Sequence, residues 1–174
     1  MLPKKPTRIS NEHFVYGPDN LRPISIINTF NRLMANSLRV LLEEQTHMKV
    51  TPVQRGFLPD RLLLSNVIDL ELAAGTLAAN GKHQHSGIVL FDFAAAFPSV
   101  AHDYTWDTLK FLGLPLVYID VLLVFYRGCT HTLKLSGHKF RSIDVHSGVR
   151  QVCPLSPLLF ALVLLVAILQ MLMG

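Results

Sequence analysis

The stretch GIVLFDFAAAFPSV, residues 87–100, decides how the fold is interpreted. After Gly87 come four consecutive apolar residues, 88–91, a run that is too short for a helix and typical of a buried strand. Asp92 follows directly. A carboxylate at the end of a buried strand is costly unless it is paired, hydrogen-bonded or bound to a cation. Position alone favours a cap or turn residue over a metal ligand, and both interpretations stay open at this point.

Upstream of this stretch the apolar residues recur at helical spacing. An amphipathic helix is predicted from Thr29, with Asn28 or Thr29 as its cap. A loop follows over 52–59, and a second helix is predicted from about Leu62 to Ala79. The apolar face of the first helix is predicted to consist of Phe30, Leu33, Met34, Leu38, Leu41 and Leu42.

Downstream, two helices and a hairpin are predicted. The helices cover Tyr104–Leu112 and Leu116–Arg127, and a glycine follows each of them. The hairpin covers 130–145 and turns around Gly137.

The closing stretch, residues 158–173, has Gln170 as its single polar member. A helix of this length measures about 24 Å, less than the roughly 30 Å of hydrocarbon in a bilayer. We therefore expect a buried core helix with Ser156 as its N-cap. Membrane association or aggregation through this stretch is the alternative.

Composition narrows the class of protein. Half of the 174 residues are apolar and 16% are charged, which excludes a disordered tail, a collagen and a coiled coil. The net charge is +4 over 1–61, −4 over 62–126 and +4 over 127–150. Two basic flanks around an acidic middle suit a polyanion held beside a metal site, although solvated faces of different composition explain the pattern equally well. Cys129 and Cys153 cannot form a disulfide framework and the amino terminus has no apolar signal-peptide core, so an intracellular protein is expected.

Four strings occur in one order along the chain: LRPIS at 21–25, QRGFLPDR at 54–61, FDFAAAFPSV at 91–100 and GVRQVCPLSPLLF at 148–160. Together they resemble the reverse transcriptase domain of non-long-terminal-repeat retrotransposons over about residues 18–162. The last string is the most specific, because it differs from the usual form of the family at one internal position.

The resemblance implies an α+β fold, namely the fingers and partial palm of a right-hand polymerase. Residues 1–20 would be an extended lead-in, 21–86 the fingers and 87–174 the partial palm. The thumb of the family and its catalytic Asp-Asp hairpin would lie outside these residues.

The activity that the resemblance implies is RNA-directed DNA synthesis from deoxynucleoside triphosphates on an RNA template and a DNA primer, with two Mg²⁺ ions. Asp92 would bind both ions, and the backbone carbonyl of Phe93 would be a further ligand. Phe97 occupies the position of an aromatic residue that blocks a 2′-hydroxyl, although an ordinary core phenylalanine is the alternative. The amides of Ala95 and Ala96 would face the triphosphate.

The other predicted contacts lie in the remaining strings. Gln151 would lie against the incoming nucleotide and the template base. Arg22, Arg61 and Arg150 would contact the template backbone or nucleotide phosphates, for which the forked guanidinium is suited. Without the resemblance, isolated arginines are more often solvated surface residues.

The sequence also departs from the pattern of the family. Val152 and Asp60 replace glycines, and Pro98 stands where a second aspartate is common. The 174 residues contain no Asp-Asp dipeptide, which the second catalytic string of the family carries. We therefore expect the isolated chain to be inactive and its binding of Mg²⁺ to be poor. A nucleic-acid-binding fragment without catalysis is the alternative function.

Overall fold

The computed structural model describes residues 2–3, 8–10, 13–17, 21–22, 26–46, 49–79, 87–93, 95–135 and 137–173. The elements in chain order are β1 (Leu2–Pro3), β2 (Arg8–Ser10), β3 (His13–Val15), β4 (Leu21–Arg22), α1 (Thr29–Thr46), α2 (Leu64–Ala79), α3 (His102–Phe111), α4 (Leu116–Tyr126), β5 (Thr130–Leu135), β6 (His138–Asp144) and α5 (Ser156–Met173). The strands pair antiparallel as β1 with β4, β2 with β3 and β5 with β6. This mixed content agrees with the predicted α+β class.

The hydrophobic core forms around α5, which confirms the predicted core helix. Helix α3 packs against both α5 and α4. The largest fully buried apolar side chains are Leu42, Leu109, Ile119, Leu122, Leu155, Leu158, Leu159, Leu162 and Val166. Helix α5 begins at Ser156, so this serine is the first helical residue and not the cap that was predicted. Within the described residues, no helix combines the length and apolar character that crossing a bilayer requires.

Helix α1 confirms the predicted amphipathic helix but not all of its predicted core. The Asn28 carboxamide accepts a hydrogen bond from the Asn31 amide at 2.8 Å, which is the predicted cap. The buried residues of α1 follow one narrow stripe along the helix: Ala35, Leu38, Leu42 and Thr46. Four residues of the predicted apolar face are exposed, namely Phe30 at 69%, Leu33 at 64%, Met34 and Leu41. The reason is that the stripe that contacts the core is narrower than the apolar face.

Helix α2 begins two residues later than predicted, and none of its residues is buried. The loop before it, predicted over 52–59, is confirmed as a series of turns. An ion pair of 2.6 Å between Arg55 and Asp69 joins the loop to the helix.

The prediction of a buried strand over 88–91 was wrong. Residues 87–93 are assigned to no strand, and Leu90 and Phe91 are 83% and 88% exposed. A central strand is buried by neighbouring strands and by helices on its faces. No described strand pairs with this segment, so it stays open to solvent.

The remaining elements follow the predictions. Helices α3 and α4 lie within two residues of their predicted bounds, and Gly113 and Gly128 after them adopt φ of 69° and 63°. The predicted hairpin is β5–β6, with Gly137 at φ 82° in its turn. Where an extended lead-in was predicted, the described backbone forms the short strands β1 to β3.

Candidate functional site

Backbone hydrogen bonds hold together two of the motif strings that are 50 residues apart in the chain. The Gly148 amide donates to the Val100 carbonyl at 2.7 Å, and the Val149 amide donates to the Phe97 carbonyl at 2.9 Å. The structure therefore joins FDFAAAFPSV to GVRQVCPLSPLLF, and we call this contact the motif junction.

Gly148 makes the motif junction possible because it has no side chain. Its φ is 88°, and a Cβ at this position would lie 2.9 Å from the Pro98 Cα. The Gly148 carbonyl lies 2.9 Å from the His102 Nε2, so the first turn of α3 also contacts the junction. Glycine is required here both by the backbone conformation and by the close approach of two segments of the chain.

Three motif strings meet at Phe97. The ring of Phe97 lies 5.0 Å from that of Phe160 and 6.4 Å from that of Phe57, which belongs to QRGFLPDR. Such centroid distances are typical of attractive aromatic pairs. Phe97 is half-buried, so it is in part the core residue of the alternative interpretation while its remaining surface is accessible.

The turn that precedes Phe97 leaves backbone donors available. Ala95 has a φ of 51°, and its carbonyl accepts the Ser99 amide at 3.0 Å. The amides of Ala95 and Ala96 donate to no acceptor within the part of the chain that the structure describes. Successive amides around a residue with positive φ form a concave site for anions. The predicted role of these amides toward a triphosphate stays a prediction.

Gln151 and Val152 follow the motif junction directly. Gln151 is half-buried, and its carboxamide has no hydrogen-bond partner among the described residues. Val152 has a φ of 61° and is 60% exposed. Asp60, the other residue that stands where the family has a glycine, has a φ of 57°. Both positions keep the left-handed backbone that glycine adopts without strain.

Two of the predicted phosphate-binding arginines, Arg61 and Arg150, make contacts inside the protein. Arg61 donates to the carbonyls of Thr51 at 2.5 Å, Gln54 at 2.7 Å and Val50 at 3.0 Å, and thereby holds the loop that carries Phe57.

Arg150 makes similar internal contacts. It donates to the Phe125 carbonyl at 2.6 Å and to the Cys129 thiol, and its guanidinium lies 4.5 Å from the centre of the Phe125 ring. The backbone of Arg22 lies in β4, and its side chain lies outside the described part.

Asp92 is exposed and does not lie at the end of a buried strand as predicted. One of its carboxylate oxygens accepts the Phe93 amide at 2.9 Å. Among the described residues, no group of three or more His, Cys, Asp and Glu side chains is arranged to hold a metal ion. These residues therefore do not fit a pair of Mg²⁺ ions.

A cleft of about 530 Å³, which was not predicted from the sequence, lies between α3, α4 and the base of the hairpin. None of the predicted site residues lines it. Its lining is His102, Asp103, Trp106, Leu123, Val124, Tyr126, Arg127, Gly128, Val145 and His146. Burial raises the pKa of Tyr126 to about 12. The signal for an aromatic group was the four-residue spacing of His102 and Trp106, whose rings lie 6.0 Å apart.

Comparisons with known proteins agree with the four strings. The sequence model of the family described as "Reverse transcriptase (RNA-dependent DNA polymerase)" matches residues 2–173. The chain is 32% identical over 148 residues to "Retrovirus-related Pol polyprotein from type-2 retrotransposable element R2DM" of Drosophila melanogaster, which covers 84% of this chain and 14% of the relative. It is 30% identical over 164 residues to "Retrovirus-related Pol polyprotein from type-1 retrotransposable element R2" of Nasonia vitripennis, with coverages of 92% and 14%.

A Pol polyprotein of the same description from Popillia japonica is 29% identical over 161 residues, which is 91% of this chain and 22% of the relative. The chain thus spans 14% of the length of the first two relatives. A match along nearly the whole chain, together with the order of the strings and their contact in space, leads to one conclusion. The chain belongs to the reverse transcriptase family, in the group of the non-long-terminal-repeat retrotransposons.

Proposed function

We propose that this chain supplies the nucleotide-facing surface of an RNA-directed DNA polymerase, which takes an RNA template, a DNA primer and deoxynucleoside triphosphates. The observation that carries the proposal is the meeting of three motif strings at Phe97. The strings that meet at this ring are the same strings that carry the resemblance to the polymerase family. The family is defined by the reaction that such a site serves.

Phe97 has the role of a wall beside the sugar of the incoming nucleotide. Its ring packs on Phe160, and its carbonyl is bonded to the amide of Val149. A ring held by its neighbours and by its own backbone cannot move aside for a 2′-hydroxyl. The wall therefore favours deoxynucleotides over ribonucleotides.

Gln151 and the turn at 95–96 complete the surface. The Gln151 carboxamide, which has no partner among the described residues, is available to hydrogen-bond a nucleotide or a template base. The amides of Ala95 and Ala96 are available to the triphosphate. Arg61 and Arg150 support this surface as positioning residues, because their donors already bind loop and helix carbonyls.

Catalysis needs groups that the described residues do not assemble. By resemblance to the family, Asp92 and the Phe93 carbonyl would hold divalent cations, and these would supply activation of the primer hydroxyl and stabilisation of the leaving pyrophosphate. Asp92 is the predicted ligand, but it stands exposed with no cluster of metal-binding side chains in the described part of the chain. We assign no step to the metal, and we expect the 174-residue chain by itself not to extend a primer.

Primer extension on an RNA template with Mg²⁺ tests this expectation. Both the wild-type chain and the variant Asp92→Ala should give no product above the enzyme-free control. Template-dependent incorporation by the wild type that is lost in the variant would show that the chain carries a working active site.

Equilibrium binding of a deoxynucleotide and the matching ribonucleotide, measured by ligand-observed NMR, tests the wall. The wild type should prefer dCTP over CTP, and Phe97→Ala should reduce this preference. The matched control is Phe111→Ala, since that ring is exposed outside the motif strings and its loss should leave the preference unchanged. Equal preferences in the wild type and Phe97→Ala would contradict the role of Phe97.

The alternative of a membrane-associating or aggregating remnant is not favoured. It requires α5 to be available as an apolar surface, whereas Leu158, Leu159, Leu162 and Val166 of that helix are fully buried in the core.

A further inference from the structure

We propose that the β5–β6 hairpin, residues 130–144, is a contact surface for single-stranded nucleic acid. None of the four motif strings includes it. The inference shares with the proposed function only the class of partner, and it requires neither catalysis nor the assigned roles of Phe97 and Gln151.

The hairpin projects from the core. Every residue of β6 is exposed, and the two strands pack chiefly on each other. An isolated two-stranded hairpin is marginally stable in water, so exposure on both faces is unusual for an element without a partner. The base of the hairpin is nevertheless fixed, since the Val145 amide donates to the Cys129 carbonyl at 3.0 Å and Ala101 bridges to Ser147.

The charge on the hairpin favours a polyanion. Lys134, Lys139 and Arg141 are exposed, and Asp144 is its only acidic residue. No ion pair joins these three cations to a carboxylate within the described residues. Lys110, an exposed cation on α3, is by contrast paired with Asp107 at 3.1 Å. Unpaired cations on one projecting element are the electrostatic footprint of nucleic-acid binding.

An irregularity in the ladder adds an aromatic platform beside Arg141, on the face of the hairpin opposite Lys134 and Lys139. Thr132 pairs with Ser142 and Lys134 pairs with Lys139, so Phe140 and Arg141 together face Leu133. The Phe140 ring is 51% exposed. An unpaired base offers its flat face to such a ring, and an adjacent arginine contributes further stacking and a phosphate contact. In a duplex the base faces are covered, so this combination favours a single strand.

The first experiment measures the binding of a labelled single-stranded RNA of about 20 nucleotides, longer than the roughly 4–16 nucleotides covered by one small domain. Fluorescence anisotropy is recorded over a range of salt concentrations. The logarithm of the association constant falls as the logarithm of the salt concentration rises. In the double variant Lys134→Gln/Lys139→Gln this dependence should be less steep by about 1.4, since each single-strand phosphate contact contributes about 0.7 to the slope. The matched control, Arg32→Gln/Lys110→Gln, removes two exposed cations elsewhere and should keep the slope.

The second experiment tests the platform. Phe140→Ala should weaken RNA binding roughly five- to 150-fold, the range expected for one stacked base. The control Phe111→Ala also removes an exposed ring and should leave binding unchanged. Circular dichroism of each variant confirms that it is folded, which surface substitutions are expected to preserve.

Three outcomes would overturn the proposal. In the first, the hairpin double variant would show the same salt dependence of RNA binding as the wild type. In the second, an RNA duplex of the same length would bind more tightly than the single strand. In the third, polyglutamate of equal charge would compete for the protein as well as RNA does. The hairpin variants are judged by RNA binding, whereas the tests at Phe97 are judged by the preference between dCTP and CTP. Failure of the hairpin variants and failure of the nucleotide tests at Phe97 are therefore separate results.

Discussion

Replacing Val152 by glycine is expected to stabilise the protein. Val152 has a φ of 61°, a conformation in which the β-carbon of an L-residue crowds the backbone at a cost of about 1–2 kcal/mol. The branched side chain places this residue at the upper end of that range. Its apolar surface is mostly exposed, so little burial is lost on truncation. Glycine loses about 0.5–1 kcal/mol more conformational entropy on folding than alanine. The net gain is about 1 kcal/mol.

Urea unfolding measured by tryptophan fluorescence is a suitable assay, because Trp106 is the single tryptophan and is buried in the core. The midpoint of Val152→Gly should rise, and for a chain of this size the melting temperature should rise by roughly 2–4 °C. Asp60→Gly is the matched control. Aspartate tolerates the left-handed region better than valine, so its gain should be smaller.

Val152→Ala separates the two contributions to the strain. It removes the branch and keeps the β-carbon, so its midpoint should lie between those of the wild type and the glycine variant. A glycine variant that unfolds at or below the wild-type urea concentration would refute the reasoning, because the left-handed backbone would then cost valine nothing.

Four further predictions concern stability and are measured by the same unfolding assay. Gly148→Ala should cost at least about 2 kcal/mol, because the added carbon is strained by its positive φ and has no room; a neutral result would mean that the motif junction opens easily. Arg61→Lys should cost about 1.5–3 kcal/mol, since one ammonium group cannot replace a guanidinium that bonds three carbonyls, and limited proteolysis should then cut the 50–61 loop faster. Leu162 is buried, so Leu162→Ala should lower the free energy of unfolding by about 2–5 kcal/mol. Met171 is 83% exposed, so Met171→Ala should change it by less than about 0.5 kcal/mol. Equal effects of the two substitutions would contradict the position of α5. Burial raises the pKa of Tyr126 from about 10 to about 12, so its neutral form stabilises the fold below pH 10. About 2–3 kcal/mol of the free energy of unfolding should be lost as the pH rises from 10 to 12. Tyr126→Phe should remove this share of the loss, and an unchanged alkaline transition in the variant would show that the hydroxyl is not buried.

The helices were predictable because they are specified by local signals. The spacing of apolar residues, the Asn28 cap and the glycines after α3 and α4 act within a few residues, so the sequence alone fixes them. The hairpin around Gly137 was predictable for the same reason.

The predictions that failed depended on distant parts of the chain. A strand over 88–91 needs neighbouring strands, and no described strand pairs with it. The exposure of Phe30 depends on how much of α1 contacts the core, which periodicity does not specify.

The candidate site was predictable as a set of residues but not as an arrangement. The strings identified Phe97 and Gln151 as neighbours in function, and the structure adds that Phe57 and Phe160 contact the same ring. The internal use of Arg61 and Arg150 could not be inferred, because an arginine that binds phosphate and one that binds carbonyls look identical in sequence.

The motif junction has a consequence for evolution. Its bonds are made by the amides of Gly148 and Val149 and by the carbonyls of Val100 and Phe97, groups that nearly every amino acid carries. Mutations can therefore replace most of these side chains without separating the two segments. Divergence of these side chains is therefore compatible with the same contact between the two segments, whereas the missing side chain at position 148 is demanded both by its φ and by the nearness of Pro98.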